Sequence, residues 1–164
     1  LESARLQLRE AVLSDAPFFY SIMNSPGWLE GIGDRGIRDL ACAKIHIRDN
    51  LIQNYRERGI GMYVVCTKAE PELPIGLCGL IKRDGLEDID IGFAFTEESA
   101  GHGYALEAAQ SVMEHGKNTL KLEKIVAITS QTNWRSARLL ESLGMSFQKN
   151  IQLNPGDESI RLFF

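Results

Sequence analysis

The sequence predicts one mixed α/β domain: a central, mostly antiparallel sheet of about seven strands with helices on both faces. β-rich runs alternate with amphipathic helical stretches along all 164 residues. No low-complexity segment, charge block or repeat marks a linker, so residues 1–164 read as a single domain. The strand–helix–strand passage from Leu86 to Thr129 has the form of a right-handed crossover. Its strands, 86–95 and 125–129, are therefore expected as parallel neighbours in an otherwise antiparallel sheet.

Ala4 to Arg9 alternates apolar and polar residues and predicts a half-buried strand. Ser14 or Asp15 supplies an N-cap and Pro17 suits a first helical turn, giving a helix to about Met23. Asn24 to Gly36, with one Pro and four Gly, predicts a loop holding at most a short helix. A helix is expected over Leu40–Arg58, with Ala41, Ile45, Ile52 and Tyr55 as its apolar stripe and Gly59 as its stop. Gly61–Thr67, Ile75–Lys82 and Leu86–Phe95 read as strands, the last two around Asp84-Gly85, a tight-hairpin dipeptide. Gly103–Leu120 is a helix burying Ala105, Ala108, Ala109, Val112, Met113, Gly116 and Leu120. Ile125–Thr129 is apolar on both parities, as a buried parallel strand is. Asn133–Leu143 predicts a helix with Leu139, Leu140 and Leu143 inward and Gly144 as its stop. Two strands, 146–153 and 159–164, close the chain around Asn154-Pro155-Gly156, and the last, exposed strand at Leu162-Phe163-Phe164 reads either as a paired edge or as a chain cut short.

Composition excludes some functions. Eighteen basic residues against 22 acidic ones leave a formal charge of −4, which gives no support to nucleic-acid binding. No apolar run approaches the ~20 residues of a membrane span, and no secretory-type leader is visible. Cys42, Cys66 and Cys78 are odd in number and lack C-x-x-C spacing, so they read as reduced thiols of a cytoplasmic protein with no metal site.

The chemistry concentrates in Asp88 to Glu107, where a strand passes through a short loop into Gly101-His102-Gly103 at a helix start. Free N–H groups there favour phosphate oxygens, and glycine lets a ligand approach the backbone. Other phosphate motifs are excluded. There is no Gly-Lys-Ser/Thr, and a dinucleotide fingerprint fails because Leu106 stands where a small residue belongs and Thr96 to Ala100 intervenes. Neither G-x-S-x-G nor H-E-x-x-H occurs.

Four segments fall in one order and spacing: Ile91-Gly92-Phe93, Gly101-His102-Gly103-Tyr104-Ala105, Asn133-Trp134-Arg135-Ser136 and Leu143-Gly144-Met145. With Asn24-Ser25-Pro26-Gly27-Trp28 and Ile32-Gly33-Asp34-Arg35, the chain resembles the GNAT N-acetyltransferase superfamily, and within it the Rim-type group that acetylates ribosomal-protein N-termini. The resemblance spans almost the whole chain. It implies acetyl-CoA as co-substrate and an amine acceptor (a protein N-terminus or a small amine); with the composition, the expectation is no metal, no nucleic-acid or membrane partner, and a monomer or homodimer. The implied diphosphate cradle is Gly101, His102, Gly103, Tyr104 and Ala105. The pantetheine arm would pair with Phe93, Ala94 and Phe95, between strands that splay apart, with Asn133 bonding it and Ser136 near the thioester sulfur. Trp28, Asp34 and Arg35 would cover the acceptor end, where Arg35 offers its guanidinium to a carboxylate or a peptide carbonyl. The family's Gln, Arg or Trp before the first loop glycine is Ala100 here, and Leu140 stands where many relatives carry a tyrosine acid. These departures keep a non-catalytic acyl-CoA sensor in play as the alternative.

Each residue also has a plainer role. Asn133 is a good N-cap three residues before Ser136, His102 suits a solvated loop, and Trp28 suits a packed loop tied by a surface ion pair. His46 and His115 fall on helices without a partner pattern. Strand alternation places Asp88 and Asp90 opposite Ile89, Ile91 and Phe93, which makes Asp90 the first candidate base, with Glu87 as alternative. An amide near Ala94 would stabilise an oxyanion and Ser136 would protonate the leaving sulfur. Attack is expected to be direct, in a ternary complex, because no Cys lies near the site in sequence.

Overall fold

The computed structural model describes all 164 residues. Seven strands form one sheet: β1 (Leu6–Arg9), β2 (Met62–Thr67), β3 (Pro74–Ile81), β4 (Ile89–Phe95), β5 (Ile125–Ser130), β6 (Phe147–Ile151) and β7 (Ile160–Phe163), in spatial order β1-β2-β3-β4-β5-β7-β6. All pairings are antiparallel except β4–β5. That parallel pair is brief: Ile89 meets Ile125 and Asp90 meets Val126, after which the strands part. The predicted fold class, with its splayed parallel pair, is what the molecule adopts.

The sheet divides the core in two. On one face α5 (Tyr104–Asn118) and α6 (Trp134–Ser142) lay Ala108, Val112, Ala137 and Leu140 onto Leu80, Ile91 and Phe163. The small residues of α5 allow that approach; a Cβ on Gly116 would lie 2.6 Å from the Ile125 side chain. On the other face lie α1 (Ala16–Met23), α2 (Pro26–Gly31) and a rod made of α3 (Leu40–His46), a π-helical turn (Ile47–Ile52) and α4 (Gln53–Arg58). Phe19, Ile22, Ala43, Ile47 and Leu51 pack there on Val64 and Leu77. Phe19 is only 1% exposed, so Phe19→Ala is expected to cost about 3–5 kcal/mol, read as a lower urea midpoint at unchanged slope.

The structure corrects several expectations. The rod spans the predicted Leu40–Arg58, but its inward positions are Ala43, Ile47 and Leu51, while Ala41 and Ile45 are exposed. Tyr55 does turn inward, and its hydroxyl donates to the Met62 carbonyl. An α-helix turns once every 3.6 residues, so a four-residue step overshoots by about 40°. The wider i→i+5 turn of the π segment takes up that drift and keeps residues four apart in one line.

At α1, Asp15 makes no forward cap; it accepts from the Val12 amide at 2.9 Å and pairs with Arg9 at 2.7 Å. Residues 82–88 form a longer loop rather than a tight hairpin, with Asp84-Gly85 in its turn and β4 starting at Ile89 rather than Leu86. The last strand is no edge. β7 lies between β5 and β6, and Phe163 is buried. No helix is long and apolar enough to cross a membrane.

Candidate active site

Where β4 and β5 separate, a cleft of about 570 Å³ opens between the sheet, α2, the α3–α4 rod and the start of α6. Beyond Asp90 the edge of β4 that faces β5 has no strand partner, while its other edge stays paired to β3 as far as Phe95. A free edge of this kind takes an extended ligand as an added strand. Phe93 lines the cleft; Ala94 and Phe95 continue β4 towards the loop that follows.

That loop carries Gly101, His102, Gly103, Tyr104 and Ala105. Gly101 and Gly103 have φ of 80° and 77°, the left-handed region that favours glycine. Gly103 is the N-cap of α5 and offers no capping side chain, so the amides of the first turn have no protein acceptor. Arg5 borders them: its Nη1 donates to the His102 carbonyl at 3.0 Å, its guanidinium lies 4.7 Å from the Tyr104 ring centre, and it pairs with Glu107 at 2.7 Å. Burial alone would raise the Glu107 pKa, but hydrogen bonds from Ser3 and Arg5 outweigh it and hold the carboxylate charged. A positive side chain thus stands beside an uncapped helix start, although Ala100 supplies none.

At the other wall, Asn133 caps α6 by accepting from the Ser136 amide at 3.0 Å. Its plain capping role and its place in the cleft are both real. A Cβ on Gly31 of α2 would come within 3.0 Å of the Asn133 amide nitrogen, so α2 and α6 nearly touch across the opening. Ser136 lines the cleft, half-buried, and no protein group bonds its hydroxyl.

Asp90 sits in the same cleft on the face of β4 away from Ile89, Ile91 and Phe93, and is 1% exposed. Its Oδ2 accepts from Arg83 at 3.1 Å, while Oδ1 has no partner. Burial pushes its pKa up, only partly offset by Arg83. Glu87 is exposed in the loop before β4 and is not part of the cleft wall.

Of the three acceptor-side residues, Trp28 and Arg35 line the cleft. Trp28 also ties its own loop, donating from Nε1 to the Gly33 carbonyl at 3.1 Å. Asp34 is exposed and lies outside the lining, where bonds from Arg38 hold its pKa down to about 2. Sequence reasoning missed a polar stripe. His46, Asn50, Asn54 and Arg58 all line the cleft from the rod, four residues apart, on the line that the π turn maintains. The His46 pKa is pushed down by burial and by the nearby Arg35 charge. Thr129 was also missed: it is 6% exposed, in the cleft wall, with its Oγ1 unpartnered. A hydroxyl ending the apolar run Ile125 to Ile128 was its only sequence signal.

A seven-stranded sheet splayed at one parallel pair, with an uncapped helix start beyond the gap, defines an acyltransferase fold. Residues 5–146 match the family model described as Acetyltransferase (GNAT) domain, and the chain belongs to that family. It is 34% identical over 145 residues to the uncharacterized N-acetyltransferase YnaD of Bacillus subtilis, covering 88% of this chain and 81% of that protein. It is also similar to YkkB of the same organism, 28% identical over 102 residues, which span 61% of this chain and 59% of that protein. Among solved structures, an acetyltransferase from Agrobacterium tumefaciens superposes with a TM-score of 0.83 at 25% identity, covering 100% of this chain and 93% of that one. RimL, a ribosomal L7/L12 alpha-N-protein acetyltransferase solved with coenzyme A, shares the fold with a TM-score of 0.80 at 18% identity, over 98% of this chain and 93% of that one.

Proposed function

We propose that this acetyltransferase moves an acetyl group from acetyl-CoA to a primary amine, a protein N-terminus or a small amine, by direct attack in a ternary complex. One observation carries the reading: a free β4 edge runs from the buried Asp90 towards an uncapped, glycine-shaped helix start, so one extended ligand can meet both. The residues present fit such a ligand. Amides of Gly101, His102, Gly103, Tyr104 and Ala105 take the diphosphate, with Arg5 beside them. Phe93, Ala94 and Phe95 pair with the pantetheine arm, and Asn133 and the unpartnered Thr129 hydroxyl bond it from the opposite wall.

Bound acetyl-CoA supplies an acyl thioester, whose thiol leaving group has a pKa close to that of Cys, about 8.5. Asp90 then has a defined task. Its free Oδ1 takes the proton from the amine, directly or through one water, and its raised pKa brings its basicity towards the working pH. An α-amine with a pKa of roughly 7.7–8.0 is about a tenth neutral at pH 7, so it asks less of this base than a lysine does. The amide of Ala94 itself faces its partner Leu77 on β3, so the donor to the developing oxyanion is a neighbouring amide on the open edge, that of Phe93 or Phe95, and the unbonded Ser136 hydroxyl is the donor to the departing sulfur. Trp28 and Arg35 hold the acceptor, and Asp34 acts on it indirectly, by fixing the loop through Arg38.

Leu140, in the cleft wall where a tyrosine acid would stand, favours the sensor as the second reading. One assay separates the two: thiol release from acetyl-CoA across a panel of N-terminal peptides and small amines. Turnover with any of them supports the transferase. Saturable acetyl-CoA binding with no product from the whole panel rejects it in favour of the sensor.

A further inference from the structure

The acceptor half of the cleft has the opposite sign to the rest of the chain. The protein carries a net charge of −4, yet four cations, Arg35, Arg58, Lys82 and Arg83, line the cleft against two carboxylates, Asp84 and Asp90. Two of the cations are already committed. Lys82 donates to the carbonyls of Leu86 and Glu87 at 2.8 and 2.6 Å, and Arg83 is bonded to Asp90. Arg35 and Arg58 have neither an ion pair nor a hydrogen bond; the surface residues Arg56, Arg135 and Arg138 share that, but only Arg35 and Arg58 lie in the cleft lining, exposed to whatever enters it. The acid next to Arg35 in sequence, Asp34, is engaged by Arg38 instead. Arg35 therefore faces the cleft as an unmatched guanidinium. Desolvation at the cleft wall and the like charge of Arg83 both work against its charge, and the neighbouring His46 has no negative charge to offset it.

We propose that this cleft selects amine acceptors that also carry a carboxylate, which the Arg35 guanidinium receives while the amine reaches Asp90. The inference rests on the acetyl-transfer reading above and names its substrate class. A planar carboxylate matches the guanidinium fork and supplies the charge that no protein group provides. Asp84 and Asp90 at the same end limit how much negative charge the site accepts, which favours a monoanion over a phosphate dianion. A polyamine meets unneutralised Arg35 and Arg58 and is repelled. The carboxylate belongs either to a free amino acid or to an acidic residue near a peptide N-terminus.

Matched pairs decide the question with the full chain: glutamate against glutamine, peptides beginning Ala-Asp against Ala-Asn, with spermidine and phosphoethanolamine added. The expected result is a kcat/KM at least about tenfold higher for the acid of a pair, equivalent to about 1.4 kcal/mol. Which pair shows it identifies the source of the carboxylate. In Arg35→Gln that ratio falls towards one, and Arg35→Lys recovers only part of it because the fork is lost. The inference is overturned by a wild-type ratio near one, by preference for spermidine or phosphoethanolamine, or by an unchanged ratio in Arg35→Gln. If nothing is acetylated, the same acids are titrated calorimetrically onto protein with and without acetyl-CoA. Binding that Arg35→Gln weakens about tenfold supports the carboxylate site and retires only the transfer reading; absence of binding overturns the site as well.

Discussion

Replacing Asp90 by Asn is expected to lower kcat by about 10²- to 10⁴-fold, the usual contribution of a positioned base, at unchanged acetyl-CoA affinity. The pH profile is the sharper readout. In the wild-type protein the rate climbs through the raised Asp90 pKa as the carboxylate ionises. The variant lacks that limb and follows the acceptor amine alone, so its optimum moves up, towards about 7.7–8.0 for an α-amine. Stability provides an independent check. Because the native pKa of Asp90 lies above the unfolded value of about 3.9, the folded protein binds the proton more tightly than the unfolded chain. Stability attributable to Asp90 is thus present at low pH and lost as pH rises through that window. Asn carries no such dependence, so the melting temperature of the variant relative to wild type should rise between pH 4 and pH 7. Arg83, at 24% side-chain exposure, keeps access to water once its partner is gone. The opposite slope would mean that Arg83 dominates and that the pair is structural rather than a poised base.

The order of strands and helices and the parallel pair were legible in the sequence because local pattern carries them; that the pair splays came only from the resemblance. Asn133 announces α6, the two spaced glycines announce the start of α5, and apolar residues on both parities announce β5. The α3–α4 rod was legible in extent but not in phase. Ala41/Ile45 and Ala43/Ile47 are both apolar pairs at helical spacing, about 200° apart, and packing on Phe19, Val64 and Leu77 selects the second; the π turn then carries that line to Leu51 and, on the cleft side, lines up His46, Asn50, Asn54 and Arg58. Such a turn is stabilised by what it packs against, so neighbouring residues do not announce it. The docking of β7 beside β5 was a missed inference rather than an invisible one. Gln148, Lys149 and Asn150 make β6 the polar member of its hairpin, suited to an edge, while Ile160, Leu162 and Phe163 suit the interior. The same holds at the cleft. Trp28 and Arg35 were assigned to this end by the resemblance, but which arginine of that loop stays unpaired depended on Asp34 turning to Arg38, a choice made only in the folded chain.

Gly103→Val is expected to abolish the rise in melting temperature that acetyl-CoA produces. At φ of 77° a β-branched residue is strained by about 1–3 kcal/mol. A Cβ there would find only Arg5 Nη2, at 3.6 Å, so the protein has room for the side chain and the backbone conformation is what gives way. Relaxing to negative φ turns the first amides of α5 away from a common point. Two charge-assisted hydrogen bonds lost at about 1.5–3 kcal/mol each weaken binding by roughly 10²- to 10⁴-fold. At a ligand concentration 100 times the wild-type Kd, stabilisation falls from about 2.7 kcal/mol to about 0.4 kcal/mol or less. For a chain of 164 residues that reduces a shift of about 5–11 °C to about 1 °C. Gly59→Val is the control, since Gly59 ends α4 at φ of 68° with open space around it and far along the chain from the cradle. It imposes the same kind of strain and lowers the intrinsic melting temperature, yet it should keep the full acetyl-CoA shift. If Gly103→Val keeps that shift too, the diphosphate is held somewhere other than residues 101–105.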